Sequence, residues 1–360
     1  MSKKCIDYYL NSQKTFFWQI LVIYCIIALQ GGVVVKFDYQ KLPKVELHLH
    51  LDGSVKIKTL KELTGLDNKE IENRCVVLNC KNLDEYLTKF DLPISIMQTK
   101  KNITRITSDL IEDLKKDNVI YAEIRFAPYL HTKEGLSYYD VIDAVLSGVK
   151  DDPDIKVNFI LCMLRNLDYT ENKKVIDYAK IYLNHGICGV DIAGSETLST
   201  NKFNKLFKYA KKLGVPFTIH AGEVTTKSLK KAIKLKPSRI GHGIKAIEDI
   251  KLIDKIKKNN ITLEICPTSN LNTKAFRDIK DFPIKTLEDL KVLVTINTDN
   301  RTVSNTNLCN EYEILAKNFN YTKDDFIRLN KNAIKAVFLS SEEKILLEEK
   351  YNDLLKKNSV

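Results

Sequence analysis

From residue 44 onward, short apolar segments alternate with longer segments of helical periodicity. Eight of the short segments have the length and composition of strands: 44–50, 119–127, 156–164, 189–193, 215–220, 239–242, 262–266 and 293–298. The intervening segments are amphipathic at helical spacing, as in 136–150, 171–184, 201–213, 226–235, 246–258 and 285–290. This alternation favours an α/β fold, and eight such units in roughly 250 residues predict a (β/α)8 TIM barrel.

Two regions exceed the pattern of one helix after each strand. Segment 54–118 is too long for a single helix, so we expect extra helices after strand 1. Segments 308–319, 322–339 and 341–356 predict further helices at the C-terminus. Because no Pro/Gly/Ser-rich linker divides the chain, residues 35–360 are expected to form one domain.

Residues 1–34 form an apolar N-terminal extension of a different kind. Lysines precede an apolar run over 16–35, a pattern typical of a signal peptide or membrane anchor. A second interpretation is that Val35 is the true start, encoded by GTG, and that Gly31-Gly32 translates a ribosome-binding site. We favour the second, which predicts a cytoplasmic protein that does not need residues 1–34. Membrane contact or secretion is expected only if the run is a real anchor.

The net charge of +11 does not indicate a nucleic-acid partner. Lysines greatly outnumber arginines, and segments such as 205–212 and 251–258 alternate lysine with apolar residues, as solvated helix faces do. No arginine cluster with interleaved aromatic residues is present. The eight cysteines are dispersed without a CxxC pair, which favours a reducing, intracellular compartment.

Polar motifs stand at the carboxyl ends of six of the predicted strands, where TIM barrels carry their active sites. They are Glu46-Leu-His48-Leu-His50-Leu-Asp52-Gly53, Asp191-Ile-Ala-Gly194, His220-Ala-Gly-Glu223, Gly241-His242-Gly243, Cys266-Pro-Thr-Ser-Asn270 and Asn297-Thr-Asp299-Asn300. Polar residues scattered at random along the chain would not fall at the same end of so many strands. The sequence therefore predicts one active site at this end of the barrel.

A metal site is predicted from the spacing of two histidines. His48 and His50 lie two residues apart on a strand, so both side chains point into the barrel. With His220 and Asp299 at other strand ends, they supply three imidazoles and a carboxylate, a ligand set that suits Zn²⁺ with a bound water. A two-metal site would need a bridging lysine after strand 4, but that strand ends in Ala193-Gly194, so we expect one zinc ion.

These motifs together resemble the adenosine deaminase family, from about Lys41 to about Phe338. The resemblance implies zinc-dependent hydrolysis of the 6-amino group of adenosine or 2′-deoxyadenosine, giving inosine or deoxyinosine and ammonia in purine salvage. It implies the zinc ligands His48, His50, His220 and Asp299. Glu223 resembles the acid that protonates N1 of the purine, and His242 and Asp299 resemble the pair that orients the attacking water.

The substrate contacts implied by the resemblance are His50, Asp52, Gly194 and Asn300. Gly194 is expected to meet purine N3 with its N–H, and Asp52 to accept a hydrogen bond from the ribose 5′-hydroxyl. A carboxylate at Asp52 would also repel a 5′-phosphate. Many family members carry Asp where this chain has Asn300. The role implied there is to donate to purine N7, which an amide does at any pH.

Three alternatives remain open from the sequence. An adenine or modified-purine deaminase would use the same barrel, although Leu51-Asp52-Gly53 favours a nucleoside. A secreted signalling relative is supported only by the N-terminal apolar run. A metal phosphoesterase with the same His-x-His start lacks the linked His220-Ala-Gly-Glu223 and Gly241-His242-Gly243 motifs.

Overall fold

Eight parallel strands stand at the centre of the structure, a computed structural model that describes residues 37–198, 203–358 and 360. The strands are β1 (Lys44–His50), β2 (Val119–Phe126), β3 (Lys156–Leu164), β4 (Ile187–Ala193), β5 (His220–Ala221), β6 (Arg239–His242), β7 (Thr262–Ile265) and β8 (Val294–Ile296). They pair in chain order as two four-stranded sheets, β1 to β4 and β5 to β8. The strand order is the one a TIM barrel requires.

Two single bridges join these sheets and close the ring. At one seam the His50 N–H donates to the Asp299 carbonyl at 2.7 Å, and the Asp299 N–H donates to the His48 carbonyl at 2.9 Å. At the other seam the Val190 N–H donates to the Pro216 carbonyl at 3.0 Å, and the Thr218 N–H donates to the Val190 carbonyl at 3.1 Å. The predicted (β/α)8 barrel is confirmed.

The fifth strand differs from its predicted span of 215–220. Its ladder covers only His220–Ala221, after the isolated bridge at Phe217. Proline lacks an N–H, so Pro216 can accept a ladder bond but cannot donate one. The apolar pattern of 215–220 correctly indicates a buried segment, but it does not indicate that residues 218 and 219 lie outside the ladder.

Helices cover the outside of the barrel. The insertion after β1 forms five of them, as expected for segment 54–118: α1 (Ile57–Thr64), α2 (Asn68–Cys75), α3 (Leu83–Leu87), α4 (Asp91–Ile96) and α5 (Lys100–Lys116). Between the later strands lie α6 (Tyr138–Ser147), α7 (Tyr169–Ile181), α8 (Phe203–Lys212), α9 (Thr226–Leu235), α10 (Ile250–Lys258), α11 (Pro267–Asn272) and α12 (Ile284–Asp289). The C-terminal helices are α13 (Leu308–Phe319), α14 (Lys323–Ala336) and α15 (Ser341–Lys357).

The C-terminal helices fix which face of β1 points inward. Val45 and Leu47 pack against Ile334 of α14 and Tyr351 of α15 in one buried cluster. Burial of these apolar side chains stabilises the outer face of the strand. Because side chains alternate along a strand, the face that carries His48 points into the barrel.

The predicted N-terminal extension 1–34 and the apolar run 16–35 lie outside the described residues. In the part of the chain that the structure describes, none of the helices combines the length and hydropathy that a membrane span requires. The six cysteines described there are free and buried.

Candidate active site and metal centre

A cavity of about 400 Å³ opens at the carboxyl ends of the strands. One wall is polar and carries the predicted site residues His50, Asp52, Gly194, His220, Glu223, His242, Asp299 and Asn300. Facing it are apolar side chains from the insertion after β1, including Leu83, Leu87 and Phe90. An apolar pocket with a few convergent polar groups is typical of a small-molecule site.

The predicted metal ligands converge at the floor of this cavity. Asp299 Oδ1 lies 3.3 Å from His48 Nε2 and 3.4 Å from His50 Nε2. His50 Nε2 in turn lies 3.2 Å from His220 Nε2. His242 also lies here: one ligand atom from each of His48, His220, His242 and Asp299 lies within 4.8 Å of the others. Among the described residues, this group of three histidines and an aspartate could hold a metal ion, and it contains His242 rather than the predicted ligand His50, which borders it.

Two buried carboxylates orient the histidine rings from behind. His48 Nδ1 lies 2.8 Å from Glu264 Oε2, and His220 Nδ1 lies 2.7 Å from Asp191 Oδ2. A carboxylate at Nδ1 keeps the ring proton there and leaves the Nε2 lone pair directed into the centre. Arg125 contacts both carboxylates, Asp191 at 2.6 Å and Glu264 at 3.0 Å. One guanidinium therefore fixes the supports of two candidate ligands.

The protonation states of the group fit a cation. Burial lowers the pKa of His50 well below its usual range and also lowers that of His220, so both rings are neutral and can donate a lone pair. Burial opposes the charge on Asp299, but the neighbouring histidines, His48 first, hold its pKa well below its usual range. His48 Nε2 is buried without a hydrogen-bond partner. Buried polar atoms are rarely left unpartnered, and a metal ion would satisfy this one.

Glu223 and His242 face each other beside the metal group. His242 Nε2 lies 3.7 Å from Glu223 Oε2. Burial raises the pKa of Glu223. Burial alone would lower the pKa of His242, but Glu223 and Asp299 raise it above its usual value. The site therefore holds a carboxyl group that resists ionisation within reach of the cavity.

Asp52 lies at the other side of the polar wall. Burial raises the pKa of its carboxyl to about 7, opposed by backbone hydrogen bonds. Its Oδ1 is buried and has no hydrogen-bond partner. Near neutral pH the group is therefore less charged than the full carboxylate expected from the sequence, but it can still accept a hydrogen bond.

Asn300 and Gly194 complete the polar wall. Asn300 Nδ2 donates to the Tyr86 hydroxyl at 2.9 Å. A Cβ on Gly53 would lie 1.8 Å from Asn300 Oδ1, so only glycine leaves room for this amide. Gly194 has a φ of 93°, in the left-handed region that glycine tolerates. The predicted site residues thus line one cavity, except His48, which lies buried behind it against Asp299.

Several residues of the site were given no role from the sequence, although Asn270 stands in one of the predicted strand-end motifs. Arg125 and Glu264 support the histidines, Tyr86 binds Asn300, and Asn270 and Thr273 contact Glu223. Arg125 and Glu264 had a signal, because each is a charge within an apolar strand and must face an interior partner. Tyr86 had none, because its position depends on how the insertion folds back over the barrel.

A TIM barrel whose strand ends present histidines and an aspartate around one cavity has the architecture of a metal-dependent hydrolase. The sequence model of the adenosine deaminase family matches residues 43–354. Adenosine deaminases of Clostridium botulinum (strain Kyoto / Type A2) and Clostridium acetobutylicum are each 40% identical to this chain, over 88% of it and 99% of their own length. The crystal structure of the Arabidopsis N6-mAMP deaminase MAPDA is 29% identical, with a TM-score of 0.80, and the match covers 88% of this chain and 99% of that one.

The chain belongs to the adenosine deaminase family, which confirms the family predicted from its motifs. It is accordingly a hydrolytic deaminase of purine metabolism, from a metal-dependent family.

Proposed function

We propose that this chain deaminates adenosine and 2′-deoxyadenosine to inosine and deoxyinosine, using one zinc ion held by His48, His50, His220 and Asp299. The observation that carries the proposal is the position of Glu223, a buried carboxyl with a raised pKa that lines the cavity beside the metal group. Three imidazoles and one carboxylate suit Zn²⁺. When bound, zinc would lower the pKa of a water molecule and so supply the nucleophile.

The chain's own residues account for the proton transfers. As the water oxygen bonds to C6 of the purine, the N1=C6 electron pair moves to N1, which takes a proton from Glu223. His242 and Asp299 orient the water. The charge of Glu223 is the main cause that raises the pKa of His242, so His242 can receive the proton of the water while Glu223 is itself protonated. The C6–N bond then breaks, and the amino group leaves as ammonia with the proton of the new hydroxyl. Transfer of a proton from His242 back to Glu223 restores the starting state.

Substrate contacts are assigned on the same wall. Asp52 would accept a hydrogen bond from the ribose 5′-hydroxyl, which would give its unpartnered Oδ1 a donor. The Gly194 N–H would meet N3, and an Asn300 N–H would meet N7, with His50 beside the ribose. No Lys or Arg is found among the described residues that line the cavity. A nucleoside therefore fits this part of the wall better than a nucleotide, whose phosphate would find no cation among these described residues.

The second candidate function is deamination of N6-methyl-AMP, because the structure that is 29% identical to this chain is that of an N6-mAMP deaminase. The buried acids Asp52 and Glu196 on the cavity wall count against a phosphorylated ligand. We also propose that the protein is cytoplasmic and acts on small molecules without a nucleic-acid partner, which the free cysteines and the scattered lysines support.

A substrate panel with the zinc-loaded enzyme tests the proposal. Adenosine, 2′-deoxyadenosine, adenine, AMP and N6-methyl-AMP are compared by their kcat/KM values, with formation of the 6-oxopurine product as the readout, because N6-methyl-AMP would release methylamine rather than ammonia. The two nucleosides should be the best substrates. A higher kcat/KM for AMP or N6-methyl-AMP would replace the proposal with the nucleotide alternative.

Glu223→Gln tests the acid directly. Glutamine keeps the size of the side chain but cannot deliver a proton, and general acid catalysis contributes about 10²–10⁴-fold. We expect turnover to fall by that factor with full zinc content and unchanged adenosine binding. Near-native turnover with full zinc would reject Glu223 as the acid, and loss of zinc would make it a ligand or a support of one.

A further inference from the structure

The motif Cys266-Pro-Thr-Ser-Asn270 has been given no part in the proposed reaction, although it opens α11 next to Glu223. Its last residue, Asn270, is fully buried and contacts two groups that the reaction uses. Asn270 Nδ2 lies 3.1 Å from Glu223 Oε1 and 3.0 Å from His242 Nδ1. The side chain therefore links the proposed acid to the histidine opposite it.

Thr273, at the C-terminal end of the same helix, contacts the same oxygen. Its hydroxyl donates to Glu223 Oε1 at 2.7 Å, whereas its alternative acceptor, the Asn270 carbonyl, is 3.4 Å away. Glu223 Oε1 thus accepts two hydrogen bonds from α11 and its cap. The other oxygen, Oε2, lies 3.7 Å from His242 Nε2.

The backbone of Glu223 is held independently by Glu196, from the loop after β4. Glu196 Oε1 accepts the Glu223 N–H at 3.2 Å, and Oε2 accepts the N–H groups of Val224 and Thr225 at 2.8 and 2.9 Å. With its main chain fixed on one side and Oε1 on the other, the carboxyl has one orientation. A proton on Oε1 would compete with the two donors already directed at that oxygen.

We infer that Asn270 and Thr273 are positioning residues that occupy Oε1 of Glu223 and thereby hold its transferable proton on Oε2, the oxygen that delivers it to the purine. The inference rests on the proposed function, since it assumes that Glu223 is the acid. It adds which oxygen acts and which residues select it. Neither residue needs to touch the substrate.

Thr273→Val is the most direct test, because it replaces the hydroxyl with a methyl group of similar size. The Thr273 hydroxyl hydrogen-bonds to Glu223 and not to His242, so of these two groups the substitution affects only the proposed acid. We expect kcat to fall roughly tenfold, a part of the total acid contribution, with KM and zinc content unchanged. Thr273→Ser restores the hydroxyl and should restore kcat. Thr268→Val is the matched control, because Thr268 lies on the same helix but does not contact Glu223, and its kcat should not change.

Asn270→Ala should reduce kcat further, by about 10- to 100-fold, because it also releases His242. Asn272→Ala, on the same helix, is its control. If Asn270→Ala fails to fold, the threonine pair still decides the question. The inference is overturned if Thr273→Val keeps native kcat, or if its loss appears in KM or zinc content instead.

A double-mutant cycle with Glu223→Gln separates this inference from the proposed function. Glutamine at residue 223 has no proton to give. In that background Thr273→Val should lower kcat by less than about twofold, because the effects of two residues that act together are not additive. An undiminished loss in the Glu223→Gln background would show that Thr273 acts by another route, while Glu223 remains the acid. Native turnover of the single Glu223→Gln variant would instead overturn the acid itself, and the inference with it.

Discussion

The barrel interior contains two layers of buried charge that differ in how their charges are paired. In the lower layer, Arg125 contacts Asp191 and Glu264, and Arg239 contacts Glu264 at 2.5 Å and Glu123. All five side chains are fully buried. In the upper layer, at the strand ends, His48 Nε2 and Asp52 Oδ1 are buried without a partner. Arg125 Nε in the lower layer is also unpartnered, but both terminal nitrogens of that guanidinium contact a carboxylate.

The two layers also differ in how burial affects their carboxyl pKa values. Burial acts against the charge of Asp191 and Glu264, but His220 and Arg125 at Asp191, and Arg125 and Arg239 at Glu264, hold both pKa values far below their usual range. In the upper layer burial prevails at Glu223 and Asp52, whose pKa values are raised, whereas the neighbouring histidines hold the pKa of Asp299 low. The lower layer therefore carries permanent charge that orients ligands, whereas the upper layer can exchange protons and bind a cation.

Removing a metal ligand from the upper layer should have the largest effect. His220→Ala leaves the ion with fewer ligands, so zinc content should fall and turnover should drop by several orders of magnitude. Metal analysis and adenosine turnover measure both. Exhaustive chelation of the wild-type enzyme should do the same, and added zinc should restore activity. Full activity after chelation would contradict a metal-dependent reaction.

Breaking the lower layer should weaken the metal site indirectly. Glu264→Gln removes the carboxylate behind His48 and leaves both guanidinium groups short of a partner. Loss of such a support typically costs about 10–100-fold in metal affinity, and a broken buried ion pair costs about 3–5 kcal/mol of stability. Zinc titration and thermal unfolding test this, with the exposed Glu248→Gln as control. Unchanged zinc affinity would show that the layers are independent.

The sequence predicted the upper layer far better than the lower one. His48 and His50, two residues apart, required a common face, and strand ends in a barrel meet at one rim. The partners across the interior depend on strand stagger, which no local pattern encodes. Thus Glu264 could be recognised as an interior charge, but not as the support of His48, 216 residues away. Pro216 likewise limits the pairing of the fifth strand in a way that no apolar pattern shows, because it has no N–H to donate to a neighbouring strand.

Asp52→Asn should have a smaller effect on catalysis. The amide still fits the site but loses one charge-assisted hydrogen bond with the 5′-hydroxyl, worth about 1.5–3 kcal/mol. We expect a lower kcat/KM for adenosine and a relative gain for AMP, because any charge repulsion is removed. Zinc content should stay normal, since Asp52 is not a ligand. An unchanged ratio of the two kcat/KM values would show that Asp52 does not face the ribose.

Asn300→Asp should have the smallest effect near neutral pH and the most informative pH dependence. It introduces into the upper layer the acid that the family resemblance implies at this position, beside Asp299 and Tyr86. Burial and the adjacent Asp299 charge would raise the pKa of the new carboxyl, as they do for other acids in this wall.

An Asp at 300 can donate to purine N7 only while it is protonated, whereas the native amide donates at every pH. The KM of Asn300→Asp for adenosine should therefore match the wild type at low pH and rise as the carboxyl ionises at higher pH. A fully ionised acceptor facing N7 would lose about 1–3 kcal/mol of binding. The ratio of variant to wild-type KM across pH cancels effects common to both enzymes. A flat ratio would place Asn300 away from N7, and its contact with Tyr86 would then be its main role.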